Sequence, residues 1–153
     1  MEPHPRPFII PVFVPHLGCP HRCVFCDQFS ISGSALASPS AEDVRDIIRR
    51  SLRFKGKRRG HTEVAFYGGN FLGLPGAYRE SLLDSVQTFI EDGHVAGIRF
   101  STRPETVSEL SVKALLSRSI TAVEIGVQSM DDLVLALSQR GHCAQDSAGA
   151  VKI

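Results

Sequence analysis

Cys19, Cys23 and Cys26 stand in one short loop, Cys19-Pro20-His21-Arg22-Cys23-Val24-Phe25-Cys26. The spacing is Cys-x3-Cys-x2-Cys, and the next cysteine, Cys143, is more than a hundred residues downstream. Thiolates suit zinc and iron–sulfur clusters alike. Three thiolates can hold three irons of a 4Fe–4S cluster and leave the fourth iron without a protein ligand. An open iron can bind something reactive, whereas a cluster with four protein thiolates is usually an electron carrier. The alternative is a structural Cys3His zinc site, with His16 or His21 as fourth ligand. Zinc knuckles often come in pairs, and no second pair stands in this sequence. Phe25, between two of the cysteines, can shield a bound group or simply pack.

The rest of the chain has to place that loop. Its 153 residues make about one domain, residues 1–153, and a net charge of +1 with 42% apolar residues predicts an ordered core. The longest apolar stretch, Phe8 to Val14, contains Pro11 and is far shorter than a membrane span. The start, Met1 to Pro7, lacks the character of a signal peptide, which predicts a cytoplasmic chain with reduced thiols. Clustered cysteines there read as metal ligands rather than disulfides.

Strand and helix patterns alternate strictly. Phe8 to Val14 reads as a strand, and Pro11 predicts an edge position. A long polar loop follows. Ser40 caps a helix whose apolar face is Val44, Ile47, Ile48 and Leu52. Glu63 to Tyr67 is a second strand, ended by Gly68-Gly69. Gly76 to Glu91 is a helix with Leu82, Leu83, Val86 and Ile90 facing inward. Ile98 to Thr102 is a third strand, Thr106 to Leu116 a helix, and Ala122 to Val127 a fourth strand. Short helices are expected over Asp131 to Ser138 and from Ala144. This order predicts parallel βα units with right-handed crossovers. Ligand sites in such folds lie at the C-terminal ends of the strands, where the cysteine loop belongs.

Parallel strands covered on both faces are apolar on both. These are not. Val64 and Phe66 oppose Glu63 and Tyr67. Ile98, Phe100 and Thr102 oppose Arg99, Ser101 and Arg103. Val123, Ile125 and Val127 oppose Glu124, Gly126 and Gln128. Charges on an inner face are costly unless paired or hydrated. The pattern predicts a curved sheet with a wet concave side, as in a partial barrel.

The stretch Pro15-His16-Leu17-Gly18-Cys19-Pro20-His21-Arg22-Cys23-Val24-Phe25-Cys26 resembles the cluster loop of the radical S-adenosylmethionine (SAM) superfamily. Phe66-Tyr67-Gly68-Gly69-Asn70 is similar to that family's glycine motif, although many members carry Glu where Asn70 stands. Ser101-Thr102-Arg103-Pro104, then Glu124 to Ser129, then Arg140-Gly141-His142 resemble the radical SAM domain of the Elongator catalytic subunit. They resemble oxygen-independent coproporphyrinogen oxidase more distantly. The resemblance implies a TIM-like partial (β/α) barrel with its first four βα units present. It implies a 4Fe–4S cluster on Cys19, Cys23 and Cys26, whose open iron is chelated by SAM. An electron then cleaves the sulfonium, and the 5′-deoxyadenosyl radical abstracts a substrate hydrogen. By the same resemblance Phe25, Gly68, Gly69, Asn70, Ser101, Gln128 and Arg140 bind SAM. Glycine there is expected to let the backbone approach the ligand. Arg140 would pair with the SAM carboxylate, and Arg103 with Glu124. A reductant such as a flavodoxin or ferredoxin is implied as partner. Further strands follow the fourth in that family, so an open fourth-strand edge is expected here.

Seven basic residues fall within eleven positions from Arg49 to Arg59. They form a possible phosphate-binding strip for a tRNA, or a solvated helix end favoured by the helix dipole. Cys143 reads as an ordinary thiol, and His4, His61 and His94 show no constellation. Three readings stand: a radical enzyme on a tRNA base, the same chemistry on a porphyrin-type substrate, or a truncated cluster-binding domain without turnover.

Overall fold

Phe8–Phe13 forms strand β1 at one edge of a four-stranded sheet, the position that the missing N–H of Pro11 favours. Thr62–Tyr67 (β2), Gly97–Thr102 (β3) and Ile120–Ile125 (β4) follow in the order β1-β2-β3-β4, and every pairing is parallel. The computed structural model describes residues 6–15, 17–27, 38–55 and 61–153. His4, His16 and the basic residues Lys57, Arg58 and Arg59 lie outside the described residues.

Helix α1, Ala41–Lys55, begins where the sequence predicts. Ser40 Oγ accepts from the Asp43 amide at 3.2 Å, and the Asp43 carboxylate accepts from the Ser40 amide at 2.8 Å. These reciprocal bonds satisfy end groups that a helix cannot satisfy itself. Helix α2, Gly76–Glu91, has the predicted bounds. Val44 and Ile48 of α1 and Leu82, Leu83 and Val86 of α2 are fully buried against the sheet. They meet Ile10, Val12, Val64, Phe66, Ile98 and Phe100, one face of the first three strands. The Phe71 ring stacks between Phe66 and Phe100, with centroids at 5.0 and 4.7 Å.

Two elements differ from expectation. The helix expected over residues 106–116 is reduced to a 3-10 turn, Pro104–Thr106, and a helix α3 of five residues, Glu109–Lys113. Ser108 between them is extended at φ −145°, and its side chain accepts from the Ser111 amide. Leu115 is buried while Leu110 and Leu116 are exposed, so there is no continuous apolar face to extend the helix. Strand β4 runs two residues ahead of the predicted span, because Gly126 to Gln128 leave the ladder. Val123, expected on a covered face, is 44% exposed at the sheet's other edge. Helices α4, Asp132–Leu137, and α5, Ala144–Ala150, complete the described chain. No helix among the described residues is long and apolar enough to cross a membrane.

Candidate active site at the C-terminal ends of the strands

The second sheet face carries the charges that the alternation predicts. Tyr67 Oη donates to Glu124 Oε1 at 2.8 Å, and Arg99 Nη1 donates to the same oxygen at 3.3 Å. Arg99 Nε also donates to Glu63 Oε2 at 2.6 Å. His61 Nε2 lies 3.0 Å from Glu63 Oε1, so His61, unassigned in the sequence, closes the chain. Burial pushes the Glu63 carboxyl up, but Arg99 and His61 outweigh it and hold it below the ordinary range. Burial and the bond to Glu124 both push the Tyr67 phenol up.

The expected pair of Arg103 with Glu124 is not formed. Strand β3 ends at Thr102, and Arg103 opens the 3-10 turn. Its guanidinium meets Glu105 and the Arg140 carbonyl, and its Nη1 lies 3.7 Å from Cys23 Sγ. Arg99, four residues earlier, is the partner Glu124 takes.

Above this face is a cavity of about 350 Å³, within the range of small-ligand pockets. Loops after all four strands wall it. Cys19, Cys23, Phe25 and Cys26 come from the loop after β1, Gly68 and Gly69 follow β2, and Ser101 lies at the end of β3. Gln128 follows β4, and Arg140 follows α4. The structure therefore gathers every expected site residue except Asn70. Arg103 and Glu124, expected to pair, both line the cavity, and sequence reasoning missed Thr102 and Ile125, which line it too.

Asn70 is wholly buried, and its side chain is spent on protein partners. Nδ2 donates to the Gly18 carbonyl at 2.8 Å. Oδ1 accepts from Thr102 Oγ1 at 2.7 Å, Thr106 Oγ1 at 2.9 Å and the Arg103 amide at 3.1 Å. Asn70 thus ties the cysteine loop to the end of β3. The glycines also have a reason within the chain itself. A Cβ on Gly69 would sit 2.5 Å from the Leu17 carbonyl oxygen and 2.9 Å from that of Val14. Gly68 has φ +104°, and a Cβ there would meet the Phe13 ring at 2.5 Å. Close approach of the chain to itself already demands glycine at both.

Arg140 is also differently engaged. Its Nη1 donates to Cys23 Sγ at 3.2 Å, and its Nη2 donates to the Gly126 carbonyl. Each terminal nitrogen keeps a second N–H beside these bonds, and Nε has no hydrogen-bond partner. Gln128 holds φ +67°, an uncommon conformation for a side chain of this kind and frequent at functional sites. Burial pushes the Cys19 thiol up, while the Arg103 and Arg140 charges pull it down.

The thiols fit an iron–sulfur cluster by donor type and by placement. Cys19, Cys23 and Cys26 line one cavity, are free of disulfides, and have two cations facing Cys23. Among the described residues, no three His, Cys, Asp or Glu side chains converge as the ligands of a single ion do. His21, the candidate fourth zinc ligand, packs its ring against Gly141. A cluster asks for a separate iron at each thiolate.

The Radical SAM superfamily model matches residues 13–153. The chain belongs to the radical SAM superfamily. Members use a 4Fe–4S cluster and S-adenosylmethionine. The chain is 23% identical, over 92% of its length, to a tRNA uridine(34) acetyltransferase of Dehalococcoides mccartyi, and covers 37% of that protein. It is 27% identical to Elongator complex protein 3 of Dictyostelium discoideum over 81% of its own length and 29% of the relative's. The solved archaeal Methanocaldococcus infernus Elp3 with an N-terminal deletion superposes with a TM-score of 0.64 at 21% identity, covering 94% of this chain and 34% of that one. The likeness supports the α/β barrel-type fold, and the chain spans about a third of the length of these proteins. In this radical SAM chain, four βα loops build the cavity, and contacts distant in sequence hold the cysteine loop in place.

Proposed function

We propose that this chain is the SAM-cleaving part of a tRNA-modifying radical SAM enzyme. The observation that carries the reading is the convergence of Cys19, Cys23 and Cys26 on one cavity with Gly68, Gly69, Ser101 and Gln128. Cys19, Cys23 and Cys26 would hold the cluster. Gly68, Gly69, Ser101 and Gln128 would face SAM, and Phe25 would cover one edge. When bound, the cluster and SAM supply a 5′-deoxyadenosyl radical that abstracts hydrogen. The protein's part is to bind, orient and shield. Glu124 lines the cavity with its charge already shared between Tyr67 and Arg99, so it offers a fixed acceptor to substrate.

Residues 1–153 then form the early part of a partial-barrel core, served in a cytoplasm by a flavodoxin or ferredoxin. The tRNA substrate is supported by the names of the relatives. Anaerobic reconstitution should give about four irons and four sulfides per chain, and SAM should alter the EPR signal of the reduced cluster. One bound zinc without sulfide refutes the reading.

A second reading, a small porphyrin-type substrate, is favoured by one observation. Lys55, inside the basic run, donates to Thr62 Oγ1 at the start of β2. The described part of the run therefore lies at the sheet end opposite the cavity. Charge reversal at Arg50 and Arg53 decides between the two. Weaker tRNA binding with a shallower salt dependence supports the tRNA strip, and unchanged binding removes it.

A further inference from the structure

Two guanidinium groups converge on one sulfur. Arg140 Nη1 lies 3.2 Å and Arg103 Nη1 3.7 Å from Cys23 Sγ. All three residues are buried, Arg103 to 3% exposure and Arg140 to 6%. A buried cation is costly unless an anion answers it. Arg103 has Glu105. Arg140 has a carbonyl and the Cys23 sulfur, and its Nε has no hydrogen-bond partner. Cys23 supplies the missing anion only as a thiolate, the form in which it binds iron.

Both groups are held in place before any cluster arrives. Arg103 is fixed by Glu105 and the Arg140 carbonyl, and Glu105 Oε2 lies 3.4 Å from His142 Nδ1. The Gly126 carbonyl fixes Arg140. Adding an electron to a cluster adds negative charge. Fixed cations and N–H···S bonds stabilise the reduced form more than the oxidised form, and so raise the reduction potential.

We infer that Arg103 and Arg140 set the electron affinity of the cluster through hydrogen bonds to one of its three thiolates, Cys23. The inference rests on the reading of Cys19, Cys23 and Cys26 as cluster ligands. Both arginines are positioning residues, acting on the cluster through a ligand. An external one-electron donor of the flavodoxin or ferredoxin class supplies the electron.

The test is an EPR-monitored redox titration of the reconstituted protein without SAM. Arg140→Met keeps bulk and removes charge and donors, while Arg140→Lys keeps the charge but loses the planar guanidinium fork that bridges Cys23 and Gly126. At a fixed solution potential, the reduced-to-oxidised ratio should fall about tenfold in Arg140→Met, which is about 59 mV for one electron. Arg140→Lys should lie between. Fully loaded variants with the wild-type potential overturn the inference and leave the ligation reading intact. A wild-type protein that takes up no iron and sulfide overturns both. Should Arg140→Met fail to load, the wild type itself decides. Labelling with 15N-arginine should change the nitrogen couplings in pulsed EPR of the reduced cluster, and a spectrum indifferent to the label overturns the inference.

Discussion

Replacing Asn70 by Ala should loosen the cysteine loop from the sheet that carries it. The side chain joins the Gly18 carbonyl, one residue before Cys19, to the Arg103 amide, one residue past β3. Removing it does not orphan every partner. Thr102 Oγ1 and Thr106 Oγ1 lie 3.0 Å apart, and Thr106 Oγ1 also reaches the Arg103 carbonyl at 2.8 Å, so the two hydroxyls can satisfy one another. The Arg103 amide and the Gly18 carbonyl have no such substitute. At about 1–2 kcal/mol for each unsatisfied group, the cost is about 2–4 kcal/mol. That is a large share of the roughly 5–15 kcal/mol that stabilises a domain. With a urea slope of about 2 kcal/mol/M, the unfolding midpoint should fall by about 1–2 M at unchanged slope. Iron uptake should fall with it, because Gly18 and Cys19 are adjacent. Asn70→Asp separates the two halves of the tie: it keeps the acceptor for Arg103 and loses the donor to Gly18. A midpoint within about 0.3 M of wild type for Asn70→Ala, beyond the scatter of such fits, would falsify this account of Asn70.

Gly69→Ala puts a methyl 2.5 Å from the Leu17 carbonyl oxygen, so a melting-point loss worth about 1–3 kcal/mol and lower iron retention are expected; wild-type values in both would show that the loop yields freely. Glu63 has its carboxyl held low, so it contributes stability above its unfolded pKa of about 4.3. That contribution disappears as pH falls through the lower folded value. Wild type should therefore lose urea resistance in that acid range more steeply than Glu63→Gln, and parallel curves would refute the role of the carboxylate. Phe25 is 55% exposed and lines the cavity, so Phe25→Ala should leave the unfolding midpoint nearly unchanged while weakening SAM binding measured calorimetrically. Equal affinity would remove Phe25 from the SAM surface.

Local signals were the most legible. Pro11 predicted the edge position of β1, the apolar spacing of Gly76 to Glu91 gave α2 its bounds, and strict alternation in β2 and β3 predicted a face with charges. Cross-chain partners were harder to read. The family resemblance implied an ion pair of Arg103 with Glu124, but β3 stops at Thr102 and Arg103 opens the 3-10 turn instead. The neighbouring Glu105 was the available signal for its real partner. Asn70 occupies a motif position associated with ligand binding, and nothing local shows that its amide is consumed by Gly18 and Arg103. The place of the described part of the basic run was deducible from topology alone. A helix that returns to a parallel strand ends near that strand's start, at the pole opposite the ligand site.

The cysteine loop depends on the rest of the fold for its placement. Leu17 receives a bond from the Asn70 amide at 3.0 Å, and Gly18 receives one from the Asn70 side chain. The Val24 amide donates to the Ser138 carbonyl at 3.1 Å, and Cys23 meets Arg103 and Arg140. Loops after β2 and β3 and the turn after α4 therefore all grip the segment carrying the three thiols. Those contacts span 52 to 117 residues of sequence, so closing them costs loop entropy that only a formed sheet can repay. The sheet should thus form before the ligands are aligned, and the aligned apoprotein should bind iron and sulfide with little further ordering. Binding to the folded form alone then stabilises the whole domain by mass action. The same coupling explains why residues that never touch the cavity, Asn70 first among them, should appear in any screen for lost cluster.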